Sequence, residues 1–326
     1  MSVDRSLVYM PLLGALIGFV IVLFIGPGII RYLTKLRFGQ NVRLDGPRRH
    51  LQKSGTPTMG GVMIIIGVVV AALILGQGSN HMLFAVFITV AYGAIGFLDD
   101  LIIILTRSSL GLKARHKLFG QLFIAVLVAL YALSRPDIGT TVLIPFTQAS
   151  IELPVAAYVV LILGVMLGTT NAVNLTDGLD GLAGGSVAIA AVSYAVIAGL
   201  LGRLELALFA GSLAGACLGF VWFNAHPAAI FMGDTGALAL GAALGILAIL
   251  TRTPFHLIVV GGLFVIETLS DIIQVTYFKL TDGKRFFKMA PLHHHFELLD
   301  WEEPKIVTRF WLIGLFFALL GLLAIL

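Results

Sequence analysis

Cysteine and charge are scarce in this chain of 326 residues. The one cysteine, Cys217, excludes a disulfide within the monomer, and the small residues beside it predict an inert packing role. Charged residues make up only 12% of the chain, about half of their usual share in soluble domains. The first apolar stretch lacks the basic start and small-residue cleavage site of a signal peptide, so we expect a retained helix.

Long apolar stretches fill most of the chain instead. Hydrophobic residues make up 59% of the sequence, and the mean hydropathy is +1.02. A helix needs about 20 apolar residues to cross a bilayer. Ten stretches approach this length: 8–30, 60–77, 82–99, 119–134, 154–170, 182–201, 206–223, 236–251, 257–278 and 306–325. The sequence therefore predicts an all-α polytopic membrane protein with about ten transmembrane helices in a single domain, residues 1–326.

The basic residues predict which loops face the cytoplasm. Cytoplasmic loops of membrane proteins carry an excess of Lys and Arg. If both termini are extracytoplasmic, 17 of the 21 Lys and Arg residues lie at the inner face. The four on the outer face are Arg5, Arg135, Arg203 and Arg252. This bias explains the net positive charge without a nucleic-acid partner. Binding of anionic lipid or phosphate ligands would be a further reason for basic residues at this face.

Five polar segments fall on the predicted inner face. They are 53–61, 97–100, 171–183, 224–236 and 291–297. The outer segment 136–153 predicts only a small β-hairpin. Polar groups within a membrane protein are costly unless they face water, a ligand or each other. We therefore expect an active site that is open to the cytoplasm and the inner leaflet.

Carboxylates are the most informative residues of these segments. Asp99 and Asp100 lie at the predicted inner end of the third span, where the helix dipole disfavours acids. A solvated helix end would explain them, but two adjacent acids favour a cation or a proton-transfer role. Asp234 follows Gly233 in a predicted loop, where it can approach a phosphate-bound metal. Oxygen ligands without a thiolate cluster favour a hard cation, with Mg²⁺ as the leading candidate. The cations available to neutralise phosphates are Lys53, Lys113, Arg115 and Lys117. The topological bias alone would also explain their positions.

The three consecutive histidines 293–295 do not favour zinc. Consecutive residues of a regular helix or strand cannot all point at one ion, and no cysteine supports them. Imidazoles titrate near neutrality, so binding phosphate or orienting a substrate is the favoured role. The adjoining Phe296 and Glu297 predict a short ordered helix in the loop.

Two further patterns have structural interpretations. Glu267, Asp271 and Gln274 share one helix face, and hydrogen bonds between helices would explain them as well as a ligand would. We expect Glu267 and Asp271 to be structural. Gly211, Gly215 and Gly219 recur at intervals of four, which predicts close helix packing or dimerisation.

Five segments in order resemble the polyprenyl-phosphate N-acetylhexosamine-1-phosphate transferases. They are Gly-Thr-Pro-Thr-Met-Gly-Gly, Phe-Leu-Asp-Asp, Asn-Leu-Thr-Asp-Gly-Leu-Asp-Gly-Leu-Ala, Phe-Met-Gly-Asp-Thr-Gly and Pro-Leu-His-His-His-Phe-Glu. The first and last of them are most similar to the branch that uses UDP-N-acetylmuramoyl-pentapeptide. The resemblance covers nearly the whole chain.

The resemblance implies a reaction at the membrane surface. Phospho-N-acetylmuramoyl-pentapeptide would be transferred from UDP-N-acetylmuramoyl-pentapeptide to undecaprenyl phosphate, giving lipid I and UMP with Mg²⁺ as cofactor. A single displacement is favoured, while a covalent aspartyl intermediate stays open. Because two anions must meet, a metal and lysines would reduce their repulsion.

The resemblance also implies residue roles. Asp234 would be the leading Mg²⁺ ligand, Asp99 would engage the lipid phosphate, and Asp100 would support it. Asn174 and Asp177 would lie close to the uracil base, on which Phe231 would stack. The expected catalytic residues are Asp99, Asp100, Lys117 and Asp234. The expected substrate-binding residues are Lys53, Thr56, Lys113, Asn171, Asn174, Asp177, Gly178, Asp180, Asn224, Phe231, Gln274, His293, His294 and His295.

Two other functions stay open from the sequence. A sister transferase that uses UDP-N-acetylglucosamine would share the same chemistry. An ion-coupled secondary transporter would also have many spans with intramembrane acids. Transporters place such acids near the bilayer midplane and often show repeated halves. Here the acids cluster at the inner helix ends and the sequence shows no internal repeat, which favours the transferase.

Overall fold

The computed structural model is mostly helical. It describes residues 6–36, 53, 55–76, 78–106 and 111–326. The longer helices are α1 (Ser6–Lys35), α2 (Gly61–Leu75), α3 (Asn80–Thr106), α4 (Ala114–Ser134), α5 (Val155–Thr176), α6 (Leu182–Leu200), α7 (Leu204–Asn224), α8 (Gly233–Leu250), α10 (Gly262–Leu280) and α12 (Glu303–Leu323). Two short helices are α9 (Pro254–Val260) and α11 (Leu292–Glu297), and two short strands are β1 (Thr141–Leu143) and β2 (Ser150–Glu152).

The all-α polytopic class is confirmed. Within the described residues, 8 helices are long and apolar enough to cross a membrane, or up to 9 if α9 and α10 form one bent span. These two helices meet at Gly261 with an angle of 82°. The helix α2 is apolar but has only 15 residues. Each predicted apolar stretch therefore corresponds to a helix or to the bent pair.

The core lies around α6, α7 and α8, which are built largely from small residues. In α8, every residue from Thr235 to Leu250 is buried. The glycines of α7 let α1 approach closely, since a Cβ on Gly211 or Gly215 would overlap the backbone of Pro11 or Ala15. Close helix packing, one of the two roles predicted for these glycines, is therefore confirmed within the chain. Cys217 is also buried in this core, as predicted.

The predicted hairpin is present. Strands β1 and β2 pair antiparallel, with Val142 opposite Ile151. The amide of Leu143 donates to the carbonyl of Arg252, 2.9 Å away, just beyond the C-terminal end of α8. The hairpin therefore lies at the end of α8 opposite to Asp234.

One local expectation is wrong. Asp99 and Asp100 do not end a helix, because α3 continues through the apolar residues that follow them to Thr106. Both acids are buried inside the helix packing rather than solvated at a helix end. Five of the basic residues assigned to the inner face lie outside the described residues: Arg37, Arg43, Arg48, Arg49 and Arg107.

Candidate active site

The polar segments predicted to share one face meet in the structure. The segment 57–61 runs beside Phe231 and Met232 through backbone hydrogen bonds. The Phe231 amide donates to the Pro57 carbonyl over 2.8 Å, and the Gly61 amide donates to the Met232 carbonyl over 2.9 Å. A Cβ on Gly61 would overlap Gly236, so glycine permits this approach. The pairing fixes the loop that enters α8.

Asp100 holds the first turn of α8. Its carboxylate accepts hydrogen bonds from the Asp234 amide (3.1 Å), the Thr235 amide (2.9 Å) and the Thr235 hydroxyl (2.6 Å). The first amides of a helix lack partners within the helix, so a carboxylate from another helix serves as their cap. Asp100 is 5% exposed. It therefore positions Asp234, a role that the sequence did not indicate.

Asp234 lies at the centre of four neighbouring carboxylates, which we call the acidic group: Asp99, Asp100, Asp177 and Asp234. Its side chain contacts the Lys117 ammonium and accepts a hydrogen bond from the Asn174 amide over 2.7 Å. Asp99 lies directly beside Asp234 and accepts a hydrogen bond from the Leu112 amide over 2.8 Å. Asn174 was expected near the uracil base, but the structure places it on Asp234 because it projects from the last turns of α5 toward α8.

Asp177 adds a further carboxylate to this group. Burial raises the pKa of Asp177 to about 8, and nearby carboxylates add to the shift. Those carboxylates belong to Asp234, Asp100 and Asp180. Carboxylate and amide oxygens crowded in this way are the donors that a hard cation prefers. The group therefore fits a metal ion such as Mg²⁺, with Asp234 as the candidate ligand.

We expect Asp177→Asn to stabilise the protein in the presence of a chelator. Below its folded-state pKa of about 8 and above its ordinary value of 3.8, Asp177 keeps a proton that it would lose on unfolding. Its contribution to the free energy of unfolding therefore falls as the pH rises through this window. Asparagine is neutral throughout. The gain in melting temperature should grow from pH 5 to pH 8 and then level off, as measured by thermal unfolding in detergent.

The exposed Asp282 provides the control for this experiment. Asp282→Asn should leave the melting temperature nearly unchanged at every pH. A gain for Asp177→Asn that does not vary with pH, or a loss that deepens with pH, would contradict the assignment.

A cavity of about 650 Å³ opens beside the acidic group. Four of the predicted substrate-binding residues line it: Lys53, Thr56, Asp180 and Phe231. Asp234 is three residues from Phe231 along the same segment, so the cavity and the acidic group adjoin. The loop between α5 and α6 supplies Asp180, and the loop between α7 and α8 supplies Phe231. The cavity has the size of a small-molecule site.

Sequence reasoning missed three polar residues that line this cavity, His226, Glu302 and Glu303. The Lys53 ammonium lies 2.7 Å from Asp180 Oδ1 and 2.6 Å from Glu303 Oε1. His226 Nδ1 lies 3.0 Å from Asp180 Oδ2. Asp180, His226 and Glu303 together could hold a metal ion. The Lys53 ammonium already contacts both acids, so we assign them as its counter-ions. Glu303 lies at the start of a helix, where an acid suits the helix dipole. Its position therefore gave no sequence signal for a role in the cavity.

The histidine segment forms the predicted short helix α11, and its three side chains diverge. His293 Nδ1 lies 3.0 Å from Glu267 Oε2, and both side chains are fully buried. His294 Nδ1 lies 2.6 Å from Glu297 Oε2, while His295 Nδ1 accepts a hydrogen bond from the Lys288 amide over 3.1 Å. The histidines therefore do not converge on one ion. The structural role expected of Glu267 is confirmed.

Gly178 is explained by the same contact. A Cβ at this position would overlap the imidazole of His293. His293 thus packs against the loop between α5 and α6 instead of opening into the cavity. In the structure it supports the loop that carries Asp180, and its expected contact with substrate stays a prediction.

Four other predicted substrate-binding residues have different surroundings. Asn224 is 3% exposed, and its amide joins Gly181 to Ile230. Gln274 accepts hydrogen bonds from the amides of Phe286 and Phe287. Asn171 donates to Gln121 and to the Leu167 carbonyl, and Lys113 is exposed before α4. In this conformation Asn224 and Gln274 support loops, and none of the four lines the cavity.

Comparison with known proteins agrees with this arrangement. The model of glycosyl transferase family 4 matches residues 82–252, and the phospho-N-acetylmuramoyl-pentapeptide-transferase signature 1 matches residues 53–65. A phospho-N-acetylmuramoyl-pentapeptide-transferase of Desulforamulus reducens is 49% identical over 318 residues, which cover 95% of this chain and 94% of the relative. The chain belongs to the phospho-N-acetylmuramoyl-pentapeptide-transferase family.

Other members of the family are similarly close. The relative from Bacillus subtilis is 48% identical and covers 94% of this chain and 95% of its own length. The relative from Thermodesulfovibrio yellowstonii is 47% identical and covers 100% of this chain and 95% of its own length. The resemblance seen in the sequence is therefore confirmed. This phosphoglycosyl transferase is a multi-pass protein of the bacterial membrane, and membership of the family decides against the transporter.

Proposed function

We propose that this transferase moves phospho-N-acetylmuramoyl-pentapeptide from UDP-N-acetylmuramoyl-pentapeptide to undecaprenyl phosphate. The products are lipid I and UMP, in the first membrane step of peptidoglycan synthesis. The observation that carries the proposal is the short segment from Phe231 to Asp234, which joins the cavity to the acidic group. One substrate can thus place its nucleoside in the cavity and its phosphates beside Asp234.

The cavity suits the uridine end of the nucleotide. Phe231 offers an aromatic ring for stacking, and stacking on an aromatic side chain is favourable for any base. Lys53 and Asp180 offer a donor and an acceptor at the cavity wall. The N-acetylmuramoyl ring and its pentapeptide would extend beyond the cavity toward the cytoplasm.

The acidic group suits the phosphates through the cation that it would hold. A non-bridging oxygen of undecaprenyl phosphate attacks the phosphorus that bears the sugar, and the bond from this phosphorus to the UMP oxygen breaks. UMP leaves with the electron pair of that bond. Bound Mg²⁺, with Asp234 as its ligand, would supply charge neutralisation to the transferring phosphoryl group.

The chain's own residues then have separate tasks. Lys117 contacts Asp234 and lies where it can neutralise the pyrophosphate. Asp99 engages the lipid phosphate, either as a base or by orienting it. Asp100 keeps Asp234 in place through the cap on α8. Because phosphate monoesters are largely ionised near neutral pH, a single displacement needs no strong base.

The decisive assay measures UMP release by purified protein. The protein is incubated with undecaprenyl phosphate, Mg²⁺ and one UDP-sugar at a time. We expect release with UDP-N-acetylmuramoyl-pentapeptide and none when the lipid or Mg²⁺ is omitted. Release only with UDP-N-acetylglucosamine would instead identify the sister transferase. No release with either nucleotide would contradict the proposed activity.

A further inference from the structure

Glu303 connects four separate parts of the chain around one carboxylate. It is the first residue of α12, and its side chain is 9% exposed. Oε1 lies 2.6 Å from the Lys53 ammonium and accepts a hydrogen bond from the Asp180 amide over 2.7 Å. Oε2 lies 3.4 Å from His226 Nδ1. The segments before α2, between α5 and α6, and between α7 and α8 are thus joined to α12.

The charges explain why this carboxylate matters for the cavity. Lys53 lies between two carboxylates, those of Asp180 and Glu303, at a side-chain exposure of 17%. A long lysine side chain has many rotamers, and two carboxylates restrict it to one of them. The Asp180 amide is also buried, and without Glu303 it would lose its acceptor, which is costly for a buried donor.

We infer that Glu303 is a positioning residue for the nucleotide. It holds Lys53 and the Asp180 loop in the geometry that receives the uridine portion of the UDP-sugar. This inference rests on the proposed function. Glu303 itself need not touch the substrate, and its effect passes through Lys53 and Asp180.

The test compares Glu303→Ala with Asp300→Asn in full-length protein. Asp300 is an exposed carboxylate three residues before Glu303, outside the lining of the cavity, and its side chain makes no hydrogen bond or ion pair with the described part of the chain. Asparagine tolerates its left-handed backbone of φ 59°, so this substitution controls for the loss of one negative charge in this loop. We expect Glu303→Ala to raise KM for the UDP-sugar about 10-fold or more, as expected for losing hydrogen bonds to a charged group. The kcat and the KM for undecaprenyl phosphate should change by less than about threefold, and Asp300→Asn should change KM by less than about twofold.

Two further variants separate positioning from folding. Glu303→Gln keeps the size of the side chain and can still accept from the Asp180 amide, so it should fold and show an intermediate KM. A double-mutant cycle with Lys53→Met tests the coupling to Lys53. If Glu303 acts through Lys53, adding Glu303→Gln to Lys53→Met should raise KM by less than about twofold more.

Several outcomes would overturn the inference. They are a KM within about twofold of the wild type for Glu303→Ala, an equal effect of Asp300→Asn, or fully additive effects in the cycle. A lower kcat and a lower melting temperature of Glu303→Ala, without a change in KM for the UDP-sugar, would indicate a purely structural role. If wild-type protein releases no UMP, the proposed function fails, and stabilisation by UDP becomes the readout. UDP should then raise the melting temperature of wild type and Asp300→Asn but not of Glu303→Ala, and equal shifts would reject the role of Glu303.

Discussion

Asp234→Asn is expected to abolish transfer, with a loss of at least about 10²–10³-fold in kcat, the range seen when one electrostatic stabiliser is removed. Asp234 contacts Lys117 and Asn174, and it lies directly beside Asp99. Asparagine keeps the size of the side chain but removes the negative charge that a hard cation needs. The rate of UMP release at saturating Mg²⁺ measures the effect. Activity close to that of the wild type under these conditions would reject Asp234 as the metal ligand.

A matched control comes from the loop after α10. Asp282 is exposed and has a left-handed backbone with φ 51°, a conformation that asparagine also tolerates. Asp282→Asn makes the same chemical change on the same predicted face, away from the acidic group. Its kcat should stay within about twofold of the wild type. An equal loss in both variants would indicate a general effect of charge on the fold or on membrane association.

Gly96→Ala is expected to have the second largest effect, although no substrate touches this residue in the proposed mechanism. A Cβ at position 96 would overlap the backbone carbonyl of Asp234, where α3 crosses the start of α8. Overpacking of this kind costs about 1–3 kcal/mol of stability. Because α3 carries Asp99 and Asp100 while α8 carries Asp234, the helices would separate at the acidic group. A displacement of about 1 Å can cost about 10²-fold in rate.

The two effects are measured separately, by thermal unfolding in detergent and by UMP release. Gly164→Ala is the control, since a Cβ there meets nothing within 4 Å and the residue is exposed in the middle of α5. Alanine is the better helix former, so this control should be neutral or slightly stabilising. The packing argument would be wrong if Gly96→Ala were as stable and as active as Gly164→Ala.

Much of the architecture follows from local patterns. Apolar stretches of roughly bilayer length predict helices directly, because a backbone within lipid must satisfy its own hydrogen bonds. The hairpin around Val142, the packing role of Gly211 and Gly215, and the short helix at 292–297 also follow from short-range signals. The break in the last predicted span but one, at Gly261, was not expected. A single glycine in an apolar stretch permits a bend without requiring it.

The candidate site was only partly predictable. The segments carrying Asp99, Asp180 and Asp234 stand out because acids are rare in this chain. Their partners do not, since Glu303 and His226 lie at ordinary positions for a charged residue. The contacts of individual residues were not predictable either. Asn174 lies on Asp234, Asp100 caps α8, and His293 is buried against Glu267.

The sequence by itself determined the membrane class, the family and the set of segments that build the site. These follow from hydropathy and from short motifs, which are properties of neighbouring residues. Only the tertiary structure decided which side chains meet: Lys53 with Glu303 across 250 residues, and Asp234 with Lys117 across 117 residues. Such contacts depend on the crossing and packing of helices that are distant in the chain. Small residues such as Gly96 and Gly61 permit these crossings, and no local pattern specifies them.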